Sequence, residues 1–243
     1  MLKEFIEHIQ KSTQPIIQQV GDSTFVIKGI GGTEELHPAI YHPDTLPLHS
    51  LEALVKMVQT EAASVGEPLY ITIPDHLTVR CFGQPQPDAR FFRQVYYEAR
   101  ATDVPGFRDG FREQDKAIIE LRSRFAPGEG VDYLLDLLSR ISKDSNVATT
   151  DNGVSQTVEA RQGIALKTVE PLKSRVPLRP FRTFQEVEQP ESEFLLRMDD
   201  EGNIGLFEAD GGMWKLKARQ TVKAFLEEQL ANLVTSGAVF IAL

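Results

Sequence analysis

From residue 151 onward, strand signals follow one another with only turn-length gaps between them, and this ordering constrains the fold more than any other feature of the chain. Asp151-Asn152-Gly153 is a hairpin signal, because Asn-Gly accepts the positive φ of a type I′ turn. After it, Val154, Gln156, Val158 and Ala160 alternate with Ser155, Thr157, Glu159 and Arg161, which is the period of a strand. Further strands are predicted at 164–169, 176–182, 193–198 and 204–208, with Asp199 to Asn203 as the polar turn between the last two. Strands in such close succession pair antiparallel, whereas a doubly wound parallel sheet needs a helix-length crossover between neighbours. The predicted class is therefore α+β, with antiparallel sheet regions and several amphipathic helices.

Helical spacing occurs on either side of this region. Leu2, Phe5, Ile6 and Ile9 predict a short helix over 2–12, and Ser50 is a ready N-cap for a helix over 51–63 carrying Leu51, Leu54, Val55 and Val58 on one face. Helices are also predicted over 88–101, 111–125, 131–141 and about 214–234; the third carries Val131, Leu134, Leu135, Leu138 and Ile141 as its buried stripe. Between them, Thr24–Lys28 reads as a strand broken by Gly29-Ile30-Gly31-Gly32, and 33–49 as an irregular loop set by Pro38, Pro43 and Pro47. Leu69–Ile73 and Leu77–Phe82 form a predicted hairpin, and Ala238–Leu243 a short terminal strand. Three segments follow: 1–49 with helix, strand and Pro/His-rich loop; 50–145 as a mixed α/β part; and 146–243 as a β-rich part with a long helix, all of which can belong to one continuous domain.

The chain of 243 residues carries 35 acidic and 26 basic side chains, a formal charge of −9. An acidic body repels a phosphate backbone unless its cations gather on one face, so nucleic acid is a possible but disfavoured partner. No apolar run approaches the roughly 18 residues that span a bilayer, and no membrane partner is expected. The N-terminal residues read as an amphipathic helix and not as a secretion signal, and a single cysteine, Cys81, cannot form an internal disulfide. The expected address is the cytoplasm.

Each cluster of reactive residues has a bland reading beside a chemical one. His37, His42, Asp44 and His49 offer imidazole and carboxylate groups to a divalent metal, yet their spacing matches no zinc signature, and they equally suit a proline-directed surface loop. The backbone amides of Gly29–Thr33 can cradle an anion with Thr33 capping a helix, but Pro38 leaves little room for that helix, and the run equally suits a glycine turn without a ligand. Asp75-His76 falls in a hairpin turn, and Cys81 falls on the inner face of a strand. No cofactor is expected and no catalytic residue stands out.

Charge segregation is more informative. From Lys167 to Arg182 there are five basic residues and one acid, a net of +4; from Phe184 to Asp210 there are nine acids and one base, a net of −8. Such blocks pair within one molecule, or they register one subunit against another. The interface version uses Arg175, Arg179, Arg182, Glu186, Glu188, Glu191, Glu193 and Trp214; a nucleic-acid groove would use Lys173, Arg175, Arg179, Phe181 and Arg182. Asp210-Gly211-Gly212-Met213-Trp214, with the only Trp, marks a tight strand-to-helix turn or a contact loop.

Three stretches carry a family resemblance: DNGVSQTVEARQGI at 151–164, PFRTFQEVEQPESEFLLRM at 180–198 and LFEADGGMW at 206–214. They resemble the YfdQ-like family of phage and prophage proteins of unknown function, best over about 145–220, more loosely over 50–145 and without clear likeness over 1–49. The resemblance implies a temperate-phage accessory protein, often encoded near recombination or replication genes, and brings no catalytic residues. The expected function is a non-enzymatic phage protein that self-associates into a symmetric homo-oligomer, such as a closed ring or shell. The alternatives are a nucleic-acid-associated accessory protein for recombination or replication, and a metal-dependent enzyme using the His37–His49 loop.

Overall fold

The computed structural model describes residues 3, 5, 16–21, 23–28, 32–36, 44–86, 91–140, 146–151, 156–162 and 165–243. The architecture is α+β. Two compact units divide the chain: Met1–Asp44 with Pro85–Gln94, and Thr45–Gln84 with Val95–Leu243. In the first unit, strands β1 (Ile16–Val20), β2 (Ser23–Lys28) and β3 (Gly32–Leu36) form an antiparallel sheet in that order. The predicted loop over 33–49 thus begins as β3, because Thr33 and Glu35 pair with Ile27 and Phe25. The predicted helix over 2–12 lies outside the described residues apart from Lys3 and Phe5.

The second unit begins with β4 (Leu46–Leu48), helix α1 (Leu51–Val65), β5 (Leu69–Asp75), β6 (Thr78–Gln86) and β7 (Phe92–Arg100), the tip of the last two strands belonging to the first unit. Helix α1 starts where predicted: the Ala53 amide donates to Ser50 Oγ at 3.1 Å and the Leu51 amide to Glu186 Oε1 at 2.7 Å, so two of its orphan N–H groups are satisfied. It ends at Gly66, whose φ of 69° is the left-handed geometry of a helix C-cap.

Within the helix predicted over 88–101, residues 92–100 form strand β7 instead, and 88–90 lie outside the described residues. Tyr97 and Ala99 are buried while Glu98 and Arg100 point the other way, and Arg80 on the neighbouring β6 bonds Glu98 at 2.6 Å. A run of Phe, Val and Tyr also suits a pleated surface, and the vacancy in the sheet between β6 and β4 decided between the two periods.

Next come β8 (Gly110–Arg112), α2 (Gln114–Arg124) and α3 (Glu129–Arg140). Residues predicted to open a helix at 111 form β8 instead, pairing with β14 (Ile204–Glu208). Strands β9 (Asn146–Asp151), β10 (Gln156–Gln162) and β11 (Ala165–Pro171) form a second three-stranded antiparallel sheet; the Asn152-Gly153 turn lies outside the described residues, but Asp151 opposes Gln156 across it. Buried Gln156 anchors that sheet by accepting from the Met198 amide at 2.9 Å and donating to its carbonyl at 2.6 Å. Strands β12 (Arg175–Leu178) and β13 (Ser192–Met198) complete a four-stranded sheet ordered β12-β13-β14-β8. The strand predicted to run to 182 stops at Leu178. The last elements are α4 (Trp214–Gln229), α5 (Ala231–Thr235) and β15 (Val239–Ala242), so the single helix predicted over 214–234 breaks at Leu230.

Long-range pairing joins most of the predicted segment 50–145, without 85–94, to the segment 146–243 in one unit. Strand β15 runs parallel to β5 at the edge of a five-stranded sheet ordered β15-β5-β6-β7-β4, and β8 closes the four-stranded sheet. Leu54 and Val58 of α1 with Val222 and Leu226 of α4 cover Ile71, Val79 and Cys81 of the larger sheet. Leu121 of α2 with Leu134 and Leu138 of α3 cover Val176, Phe194, Leu196 and Leu206 of the smaller one. Each such side chain contributes about 2 kcal/mol by leaving water. At Gly130, α3 rests directly on β12: a Cβ there would lie 2.1 Å from the Pro177 carbonyl oxygen. No helix of the described residues is long and apolar enough to cross a membrane.

Candidate functional site

Residues 179–191 contain almost no regular structure, yet several of their side chains are buried. Polar wiring explains this. The Gln189 carboxamide oxygen accepts from the amides of Arg182 at 2.9 Å and Thr183 at 3.3 Å, and its nitrogen donates to the carbonyls of Phe184 at 2.9 Å and Val187 at 3.3 Å. The loop thereby satisfies backbone groups that no sheet serves, and Phe184 and Val187 sink into the larger core. Thr183 Oγ1 donates to the His76 carbonyl at 2.6 Å, tying the loop to the β5–β6 turn.

Arg182 is the centre of the site. It is 3% exposed, its guanidinium donates to Glu208 and to Ser192 Oγ, and it lies 4.0 Å from the centroid of the Trp214 ring. The Ser192 hydroxyl in turn donates a hydrogen bond to Asp210 Oδ2 at 2.7 Å. Trp214 Nε1 donates to Glu208 at 3.2 Å, and His76 meets the same indole edge-on, with centroids 4.7 Å apart. Asp210 also accepts from the amides of Gly212 at 3.0 Å and Trp214 at 3.2 Å, which fixes the turn before α4; Gly211 and Gly212 take φ of 63° and 81° there. Arg182 Nε is buried without a partner.

Electrostatics follow from this enclosure. Burial draws Arg182 below its ordinary pKa, against the pull of Glu208 and Asp210. Burial works to raise Asp210, but the bonds from Ser192, Gly212 and Trp214 and the charge of Arg182 outweigh it, leaving the carboxyl below its usual range. Burial lowers His76; Asp75 opposes that shift, while Lys215 and Arg182 reinforce it. The arrangement is a closed ion-pair network over an indole. The Ser192 hydroxyl is committed to a carboxylate and a guanidinium, without the imidazole partner that would activate it as a nucleophile.

The structure brings some predicted residues together and disperses others. Arg182 and Trp214 meet inside the chain. Arg179 donates to Glu188 at 2.9 Å and to the Pro127 carbonyl at 2.6 Å. Glu186 caps α1, and the Glu191 carbonyl accepts from Lys217 at 3.4 Å. Lys173 lies 4.5 Å above the Tyr133 ring, Phe181 is half-buried with its amide donating to the Arg124 carbonyl at 2.9 Å, and Glu193 is half-exposed on β13. Arg175 is exposed on β12. A shallow groove of about 520 Å³ runs between Arg179, Glu188, Lys217 and Thr221.

His37 and His42 lie outside the described residues, while Asp44 and His49 are exposed. His49 borders a cleft of about 330 Å³ with Glu52, Asp103 and Glu186. Among the described residues, no cluster of three or more His, Cys, Asp or Glu side chains is placed to hold a metal ion. Of Gly29–Thr33, Gly32 and Thr33 stand in β3, so Thr33 caps no helix, and Gly29–Gly31 lie outside the described residues. Cys81 is buried and its thiol is pushed up to about 12 by burial.

Gln156, Thr183, Gln189 and Ser192 carried no sequence signal, since a lone polar residue reads as solvent-facing. Asp210 did carry one, as a carboxylate just before two glycines and a helix. Comparisons of the chain with protein-family models, curated proteins and solved structures find no match.

Proposed function

We propose that this chain is a non-enzymatic phage or prophage accessory protein of the YfdQ-like kind that self-associates into a symmetric homo-oligomer. The observation that carries self-association is apolar surface on strands at sheet edges. Ile16, Ile17 and Val20 on β1, and Phe240 on β15, are half or more exposed. Edge strands left open and apolar pair with other chains unless something guards them, and two-fold pairing with a second copy is the commonest symmetry of homo-oligomers. The phage assignment rests on the resemblance at 151–164, 180–198 and 206–214.

Light scattering on purified protein at several salt concentrations tests self-association. A mass at or above twice 27.2 kDa at micromolar concentration is the expected result; a monomer under every condition refutes it. The alternative, a nucleic-acid-associated accessory role, would have to work from Lys173, Arg175 and Arg179, because Arg182 faces inward. Binding to single- or double-stranded DNA at low salt is its test, since phosphate attraction is strongest there.

A further inference from the structure

We infer that β1 is the surface through which two copies join, pairing antiparallel with its own equivalent about a two-fold axis at Gln18. The inference rests on self-association and says which element carries it.

The geometry begins with the β1–β2 hairpin. Val20 opposes Ser23 across a two-residue loop, with Gly21 at φ 63°. The bond that closes such a turn makes Val20–Ser23 a hydrogen-bonded pair. Antiparallel pairs alternate, so Gln18–Phe25 and Ile16–Ile27 are also bonded pairs, and Ile17 and Gln19 turn their N–H and C=O groups to the outer edge. Among the described residues, no strand lies on that edge.

Chemistry separates the two edges of this sheet. All five β1 residues, Ile16-Ile17-Gln18-Gln19-Val20, are exposed and uncharged, with Ile16 at 63%, Ile17 at 67% and Val20 at 57%. The opposite edge, β3, carries Glu34 and Glu35, so β3 strands laid against each other would set like charges side by side. Charge is the usual guard on an edge strand, and β1 has none. A three-stranded sheet with its apolar residues exposed is also marginal by itself and gains from added strands.

Register follows from parity. Centring the two-fold on Gln18 uses the whole strand, sets Ile16 against Val20 of the second copy, and makes Ile17 and Gln19 of the second copy exchange two hydrogen bonds, twice over. A centre between Ile17 and Gln18 would set the outward groups of Ile17 against Gln18, whose groups already face β2, and a centre on Ile17 or Gln19 would leave two residues of the five-residue strand unpaired. The Gln18 position of each copy then forms a non-bonded pair, with Cα atoms about 4.5 Å apart, inside the span a disulfide bridges.

The test uses the full chain and the variants Gln18→Cys, Gln19→Cys and Gln19→Pro, with native Cys81 buried. Under mild oxidation, Gln18→Cys should form a covalent dimer about tenfold faster than Gln19→Cys, whose equivalent lies two residues out of line. Gln19→Pro removes an outward donor and leaves the β1–β2 bonds intact, so it should fold, by circular dichroism, yet scatter as a smaller species than the parent. A parent chain that is monomeric in all conditions overturns self-association and this interface together. A parent that is oligomeric, with Gln19→Pro unchanged in size or with Gln18→Cys and Gln19→Cys cross-linking alike, overturns the β1 interface alone.

Discussion

Gly130→Ala sets two calculable effects against each other. Helix α3 contains Gly130 near its first turn, and alanine in a helix is favoured over glycine by about 1 kcal/mol. Propensity alone therefore predicts stabilisation. Packing predicts the reverse. The added Cβ would lie 2.1 Å from the Pro177 carbonyl oxygen and 3.0 Å from both Leu178 Cδ2 and Val176 Cγ1. The side chains can yield a few tenths of an ångström, but the carbonyl belongs to a strand bonded to β13. Helix and strand must separate by roughly 1 Å to restore ordinary contact. That separation loosens Val131, Leu134 and Leu138 against the smaller sheet, and overpacking of this kind costs about 1–3 kcal/mol, with a backbone clash at the upper end. The net expectation is a loss of about 2 kcal/mol. Urea unfolding followed by the fluorescence of Trp214, the only tryptophan, measures it. Ser139→Ala, at an exposed position of the same helix, reports propensity without the clash. If Gly130→Ala were as stable as the parent, the direct seating of α3 on β12 would be wrong.

Further outcomes follow from the polar network. Arg182→Met should destabilise by about 3 kcal/mol, since Glu208 and Ser192 lose their donor in an enclosed site, and adding Glu208→Gln should restore part of the loss in a double-variant cycle by urea unfolding; additive losses would refute the coupling. His76 holds its pKa below 6.5 in the folded chain, so the folded state binds fewer protons there and stability falls as the pH drops from 6.5 towards the folded value. His76→Phe should flatten the stability slope between about pH 7 and pH 5, and an unchanged slope in urea titrations would show that other groups cause it. Asp210, whose pKa is lowered, adds stability above its unfolded value of about 3.8 that is lost as pH falls through its folded value; Asp210→Asn should therefore weaken the acid-side loss of stability seen in urea titrations below about pH 4. Cys81 should react with a thiol reagent only at the rate of unfolding, because its thiol is buried and pushed up to about 12; rapid labelling of native protein would contradict the sheet packing.

Local chemistry in the sequence determined the class and most of the elements. Ser50 and Gly66 bound α1, the stripe of Val131, Leu134 and Leu138 made α3, and Asp199–Asn203 turned β13 into β14, because caps, helical periods and turns are set by neighbours within a few residues. Tertiary structure decided what local pattern left open. Residues 92–100 could satisfy either period, and the open place between β6 and β4 made them a strand. The basic and acidic blocks were legible as composition, but only the fold buried Arg182 against Glu208 and Trp214 while leaving Arg175 in solvent. A charge reveals its sign in the sequence, whereas its partner is chosen by backbone that returns from 26 residues away, and burial then sets how strongly the pair is held.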